Sequence, residues 1–297
     1  LNRHGRTAAF LALTLWALPC LAASESSVPA APETSAVSSA APPAASTSPD
    51  AAPASPGAAP SLPDSGAVSF SAFSPGERLT YSISYLGIAV GDLSLLIAGP
   101  AEVGGVSVWP LIGTAQSKPA FILYPVRDKF ISWFDPRARL SVGNEFLANE
   151  NKVVRRERTR FERGRGQASV RREGGGKPRR DKSYDIPAGA QDILAMLYLL
   201  RLQPLAAGDV FESPVFTGSK TFTLKASVVG KESIQTKAGK FAVKRVHVEV
   251  AFSGQLSAKR EVHMFLTDDA RHIPVRVDAE FFLGSLVADL ISEERGF

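Results

Sequence analysis

Two histidines and two glutamates form the one grouping in this 297-residue chain suited to metal-assisted chemistry. His247 and Glu249 stand two apart, and so do Glu261 and His263. Alternate residues of a strand share a face. If Gly254-Gln255-Leu256 is a hairpin turn, Ser253 pairs with Ser257. That register sets His247 opposite His263 and Glu249 opposite Glu261, with facing side chains about 5 Å apart. Two imidazoles and two carboxylates at this spacing could hold a divalent cation and activate a water. The same register puts Val246 opposite Met264 and Val248 opposite Val262 on an apolar face. Arg245, Lys259 and Arg260 moderate the acidic charge, and no partner that would orient the imidazoles can be named. The four residues therefore read first as a solvated polar face. We expect no bound metal, no cofactor and no catalytic residue.

Other catalytic signatures are absent from the sequence. It has no G-x-S-x-G elbow, H-E-x-x-H pair, phosphate-binding loop or dinucleotide fingerprint. Its single cysteine, Cys20, excludes an intrachain disulfide framework.

Two further patterns suit binding rather than catalysis. Trp109-Pro110-Leu111 and the block Lys118–Pro125 are apolar and interrupted by proline. Trp109, Phe121, Leu123 and Tyr124, with Tyr198 further on, are candidates to line or cover an apolar cavity; the alternative is a short turn packed into the core. Lys152–Lys182 holds thirteen Lys and Arg against four acids, a net +9 in a chain whose total is +5. Arg156, Arg158 and Arg160 alternate onto one face there and could contact anionic headgroups or another acidic polymer. The competing reading is a charged, solvated edge or protruding hairpin tipped by Gly174-Gly175-Gly176. Too few aromatic residues interleave these charges for nucleic-acid binding.

The elements that must position these residues are mostly strands. Leu79, Tyr81, Ile83 and Tyr85 fall on one face of a strand, with Thr80, Ser82 and Ser84 opposite. Further strands are expected at 106–117, 127–134, 138–148, 151–162, 167–173, 209–217, 220–230, 240–253, 257–267, 273–283 and 284–290. Turn residues separate most of them at the spacing of a sandwich or barrel. One helix, about 190–202, interrupts the series; it is rich in Leu, Ala and Met and stopped by Pro204. Its apolar residues lie all round, which implies burial on most sides. The fold class is thus mainly β: a single curved antiparallel sheet or barrel with one buried helix.

The first 67 residues read differently. Residues 1–23 have a basic start, an apolar middle of about eleven residues and small residues after Pro19, the pattern of a signal peptide. A lipoprotein reading through Cys20 is weakened by Pro19 and Ala17 at the positions before it. Residues 24–67 are rich in Ala, Pro and Ser and read as a disordered linker. The β domain then occupies 68–297, and the address is periplasmic or secreted, with no transmembrane segment in the mature chain.

Several short motifs resemble one family. They are Pro75-Gly76-Glu77-Arg78-Leu79-Thr80-Tyr81, Tyr85-Leu86-Gly87 with Val90-Gly91, and Pro125-Val126-Arg127-Asp128-Lys129-Phe130. Tyr184-Asp185-Ile186-Pro187, Gln191-Asp192, Tyr198 and Arg201 follow, then Ala238-Gly239-Lys240-Phe241 and Thr267-Asp268-Asp269-Ala270-Arg271 with Ile273-Pro274-Val275-Arg276. In this order they resemble the bacterial exported domain-of-unknown-function family 3108, over about Phe73–Leu290. The resemblance implies export and a mostly β fold, and carries no catalytic residues. Residue chemistry offers the motifs a plain role as fold punctuation.

The expectation is a non-enzymatic envelope protein binding an apolar or amphipathic, lipid-like ligand. A periplasmic scaffold or assembly factor holding protein partners is the second reading. A metal-dependent hydrolase at His247, His263, Glu249 and Glu261 is the third.

Overall fold

The computed structural model describes residues 69–119, 125–252, 262–281 and 284–296. The proposed leader and linker, Phe121, Leu123, Tyr124, the Gly254–Leu256 turn and Glu261 lie outside the described residues. The chain runs β1 (Arg78–Tyr85), β2 (Ile88–Ile97), β3 (Ala101–Val103), β4 (Val106–Ser117) and β5 (Arg127–Asp135). Next come β6 (Leu140–Glu150), β7 (Val153–Glu162), β8 (Gln167–Gly174), β9 (Lys177–Asp185) and the helix α1 (Ile193–Arg201). The last strands are β10 (Val210–Phe216), β11 (Thr221–Thr236), β12 (Gly239–Phe252), β13 (Val262–Thr267), β14 (Pro274–Phe281) and β15 (Gly284–Glu294).

Apart from β3, which pairs only with β4, the strands form one antiparallel sheet in the order β10-β11-β12-β13-β14-β15-β1-β2-β4-β5-β6-β7-β8-β9. Most neighbours in space are neighbours in sequence. The exceptions are β2 with β4, which skips the short β3, and β1 with β15, which joins the two ends of the domain. The sheet does not close by hydrogen bonds: β9 and β10 are its edges. Yet Phe216 at the end of β10 packs on Phe161 of β7 and Tyr184 of β9, with ring centroids 6.2 and 5.6 Å away. A sheet whose opposite ends touch must curl nearly into a barrel. Register shifts at Thr80/Tyr81, Ile83/Ser84, Trp133/Phe134 and Val228/Gly230 assist this, since a bulge bends the strand and raises its twist.

The alternation read from sequence sets the core. Leu79, Tyr81 and Ile83 are buried, while Tyr85 at the strand end is half-buried. Gly239 takes φ 137° at the β11–β12 turn, a conformation open to glycine, and Pro274 opens β14. The sequence patterns miss β9 altogether, because almost all its residues are exposed and it has no apolar period. The basic stretch does reach a charged, exposed sheet edge, the strand β9, which pairs with β8 in a hairpin tipped by Gly174-Gly175-Gly176. Its first strand is different: β7 pairs along its length with β6 and β8, and Thr159 and Phe161 are buried.

Helix α1 packs its buried Leu194, Ala195, Met196, Tyr198, Leu199 and Leu200 into the main core. It is shorter than 190–202 because Gln191 is extended and bridges Val215 in parallel fashion. Gln191 N–H donates to Pro214 O at 2.9 Å, and Phe216 N–H to Gln191 O at 2.8 Å. Asp192 then caps the helix, accepting from Leu194 and Ala195 N–H at 3.0 and 2.9 Å. The hydroxyls of Ser132 and Ser141 donate to its other oxygen at 2.7 and 2.6 Å. The cap thus ties the helix start to β5 and β6. Burial raises the Asp192 pKa, and these four donors oppose the shift.

Candidate ligand cavity and the buried arginine clamp

The hairpin register inferred for the histidines is present: His247 faces His263, Val246 faces Met264 and Val248 faces Val262. The rings lie 5.2 Å apart. Glu249 Oε1 is 3.7 Å from His247 Nδ1, and His263 faces Asp278 on β14. Among the described residues, no group of three or more ligating side chains is arranged to hold a metal.

Arg156 and Arg158 share one carboxylate. Their Nε atoms lie 3.0 and 3.2 Å from the two oxygens of Glu145. Arg160 is exposed. The stripe is therefore less positive than its sequence count suggests. Trp109 is buried beside Phe70 and Phe73, and Tyr198 is buried against Phe73. Both are core residues and stand away from the cavity wall described below.

Tyr198 belongs to a clamp that the sequence patterns did not assemble. Arg201, the last helical residue, is 1 % exposed. It donates to Glu77 Oε1 and Oε2 at 2.6 and 2.9 Å, to Ala72 O at 2.8 Å and to Arg271 O at 3.2 Å. Phe73 and Tyr198 rings flank the guanidinium at 5.2 and 5.1 Å. Burial opposes the Arg201 charge, but Glu77 more than offsets it and the pKa rises. Arg271 stands 3.4 Å from Glu77 and pairs with Glu293. Tyr81 donates to Pro274 O at 2.8 Å. His272 Nδ1 lies 2.9 Å from Arg201 O, and its Nε2 lies 3.1 Å from Lys244 Nζ. Lys244 can only donate, which assigns the neutral tautomer with Nδ1–H donating to Arg201 O. Burial lowers the His272 pKa, and Lys244 adds to that effect. The clamp joins the helix C-terminus to the start of β1 and the β13–β14 turn.

A cavity of about 330 Å³ lies at the other end of the helix, against Asp192 and Ile193, near the seam between the sheet edges. Its volume lies in the range of small-molecule sites, about 300–1,000 Å³. Phe130, Phe146, Ala148, Ile193, Phe216 and Phe222 form the apolar wall. One cross-strand row organises the rest: Phe130 on β5 faces Phe146 on β6, then Glu157 on β7, Arg172 on β8 and Arg180 on β9. All five line the cavity. The row is aromatic at its inner end and charged toward the edge. Arg172 pairs with Glu157 and reaches across the seam to Gly218 O at 2.7 Å. Its Nη1 lies 3.4 Å from the Tyr184 hydroxyl. Burial raises the Glu157 pKa, and Arg172 counters it. A Cβ at Gly218 would stand 1.9 Å from Glu157 Oε1, and its φ is +82°, so the latch requires glycine.

Most residues of the clamp come from the short motifs that resembled one family, and the family model for DUF3108, a protein of unknown function, matches residues 80–291. The chain belongs to the DUF3108 family. In this DUF3108 protein the match runs through the basic strands and takes in Tyr198, Arg201 and Arg271 of the clamp, while Glu77 and Glu293 lie just outside it. Its structure is similar to that of a beta-barrel-like protein of the DUF1849 family from Brucella abortus. The TM-score is 0.53 at 10 % identity, with 76 % of this chain and 99 % of that one covered. That likeness shows the fold alone. A candidate exported protein of YmcC-like fold from Bacteroides fragilis aligns at TM-score 0.32 and 9 % identity, covering 76 % of this chain and 99 % of that one. A candidate lipoprotein from Parabacteroides distasonis aligns at 0.30 and 9 %, covering 74 % and 96 %. These two align too loosely to bear on the fold. No functionally curated protein matches the sequence. No helix among the described residues is long and apolar enough to cross a membrane.

Proposed function

We propose that this DUF3108 protein is an exported envelope protein that binds an apolar or amphipathic small molecule without transforming it. The observation that carries this reading is the cavity: an aromatic wall set inside a curled sheet and reached at the one place where the sheet fails to close. The signal-peptide pattern of residues 1–23 and the Pro-rich 24–67 segment support an address beyond the inner membrane, with the β domain at 68–297 carried on a spacer. The motif residues Glu77, Tyr198, Arg201 and Arg271 serve the fold, and of the carboxylates that line the cavity Asp192 caps the helix and Glu157 is paired with Arg172, which supports binding over catalysis.

Organic extraction of the purified protein followed by mass spectrometry tests the reading, together with binding of the apolar dye N-phenyl-1-naphthylamine. A bound lipid-like molecule and dye binding weakened about tenfold by Phe146→Gln are expected, since the change removes buried apolar contact. A ligand-free protein that takes up no dye would overturn it. One observation favours a second reading, a scaffold for protein partners. Edge strand β9, and β10 before the stretch that Gln191 covers, leave main-chain groups available for another strand, although the charge on β9 opposes this. Capture of an envelope protein lost on adding charge to β10, as in Val210→Lys, would support the scaffold.

A further inference from the structure

We infer that the cavity ligand is anionic, a single-chain amphiphile whose acidic headgroup sits between Arg172 and Arg180; this rests on the cavity reading above. Arg172 and Arg180 face each other directly on β8 and β9, on the cavity side. Like charges directly opposite on paired strands repel. The outer side of the same strands also sets two arginines face to face, Arg158 and Arg171, but supplies each with an acid. There Arg171 and Arg179 both pair with Asp181, and Arg158 with Glu145. Of the acids lining the cavity, Glu157 is committed to Arg172, Glu173 stands 3.9 Å from Arg156 and Asp192 caps the helix; Arg180 has no acidic partner among the described residues. Lys177, also on the cavity rim, has none either. An anion at the rim would complete the alternation that the row lacks.

The occupant's second half follows from the opposite end of the row. Phe130 and Phe146 continue it inward, and Phe222 and Ile193 add to the same wall. From Phe130 to Arg180 the row crosses four strand spacings, about 19 Å. A ligand with one charged end and one apolar tail matches that polarity along its length. Inorganic phosphate would leave the aromatic wall wet, and a neutral amphiphile would leave Arg180 unmatched.

Isothermal titration of the full chain with dodecyl phosphate, dodecyl maltoside, dodecyltrimethylammonium and inorganic phosphate separates these cases, below the micelle threshold of each amphiphile. Dodecyl phosphate should bind more tightly than the other three, and less tightly as salt is raised. Arg180→Gln should weaken it about tenfold, with Arg180→Lys recovering part of the loss and dodecyl maltoside unaffected. Arg180 is exposed, so these variants should keep the wild-type unfolding temperature. Equal binding of the phosphate and maltoside amphiphiles, with Arg180→Gln silent, would overturn the anionic headgroup while leaving the cavity reading intact. Inorganic phosphate binding as tightly as dodecyl phosphate would overturn the amphiphile. Failure of every amphiphile to bind would sink both readings.

Discussion

Arg201 and Arg172 each anchor a polar cluster beside the helix, with opposite degrees of completion. Arg201 is buried with Glu77, two carbonyls and two aromatic rings, and its guanidinium needs nothing further. Arg172 holds Glu157 and Gly218 O, but its neighbour across the strand pair is another arginine. A closed network at the helix end fixes the fold. An incomplete one on a cavity wall leaves room for a ligand. The motifs that mark the family fall mainly in the first cluster, so they identify the architecture more than the ligand.

The sharpest break in that contrast is Arg201→Ala. It strands the Glu77 carboxylate in the core and should cost about 3–5 kcal/mol. Differential scanning calorimetry should show unfolding about 6–20 °C lower. A shift no larger than that of a surface variant would mean the clamp is not the structural centre. Next is Asp192→Ala, which removes the helix cap and leaves the Ser132 and Ser141 hydroxyls without their acceptor. About 2–4 kcal/mol of stability should be lost in urea unfolding.

Asp128 on β5, in neither cluster, gives a pH-dependent test. Burial raises its pKa to about 6, Glu150 adds to the shift, and the Asn149 N–H and Arg155 oppose it. The folded state therefore holds its proton more tightly than the unfolded chain. Stability from this group is full below about pH 3.8 and is lost as pH rises to about 6. The loss should reach about 2–3 kcal/mol by pH 7. Asp128→Asn keeps an acceptor for Asn149 and should flatten that part of the pH–stability curve. An unchanged slope would place Asp128 in a more solvated setting. The smallest effect belongs to Arg158→Gln. Its partner Glu145 also holds Arg156, and the pair is partly exposed, so the change should stay within about 1 kcal/mol.

The sequence by itself determined the β character, most strand positions and the helix. Period-two alternation and turn residues act within a few positions of one another, so they are legible locally. It also determined the β12–β13 register, because slipping by one residue would turn Val246 and Met264 out of the core. Only the tertiary structure decided which charges meet. Glu77 and Arg201 are 124 residues apart, and no local pattern links them. Strand β9 has no apolar face and is recognisable only through its pairing with β8. The facing of Arg172 with Arg180, and the reach of Arg172 to Gly218, depend on strand order and on curvature that brings one sheet edge to the other. Those are long-range properties. They arise from how a whole sheet curls round its helix, and short sequence windows carry no record of it.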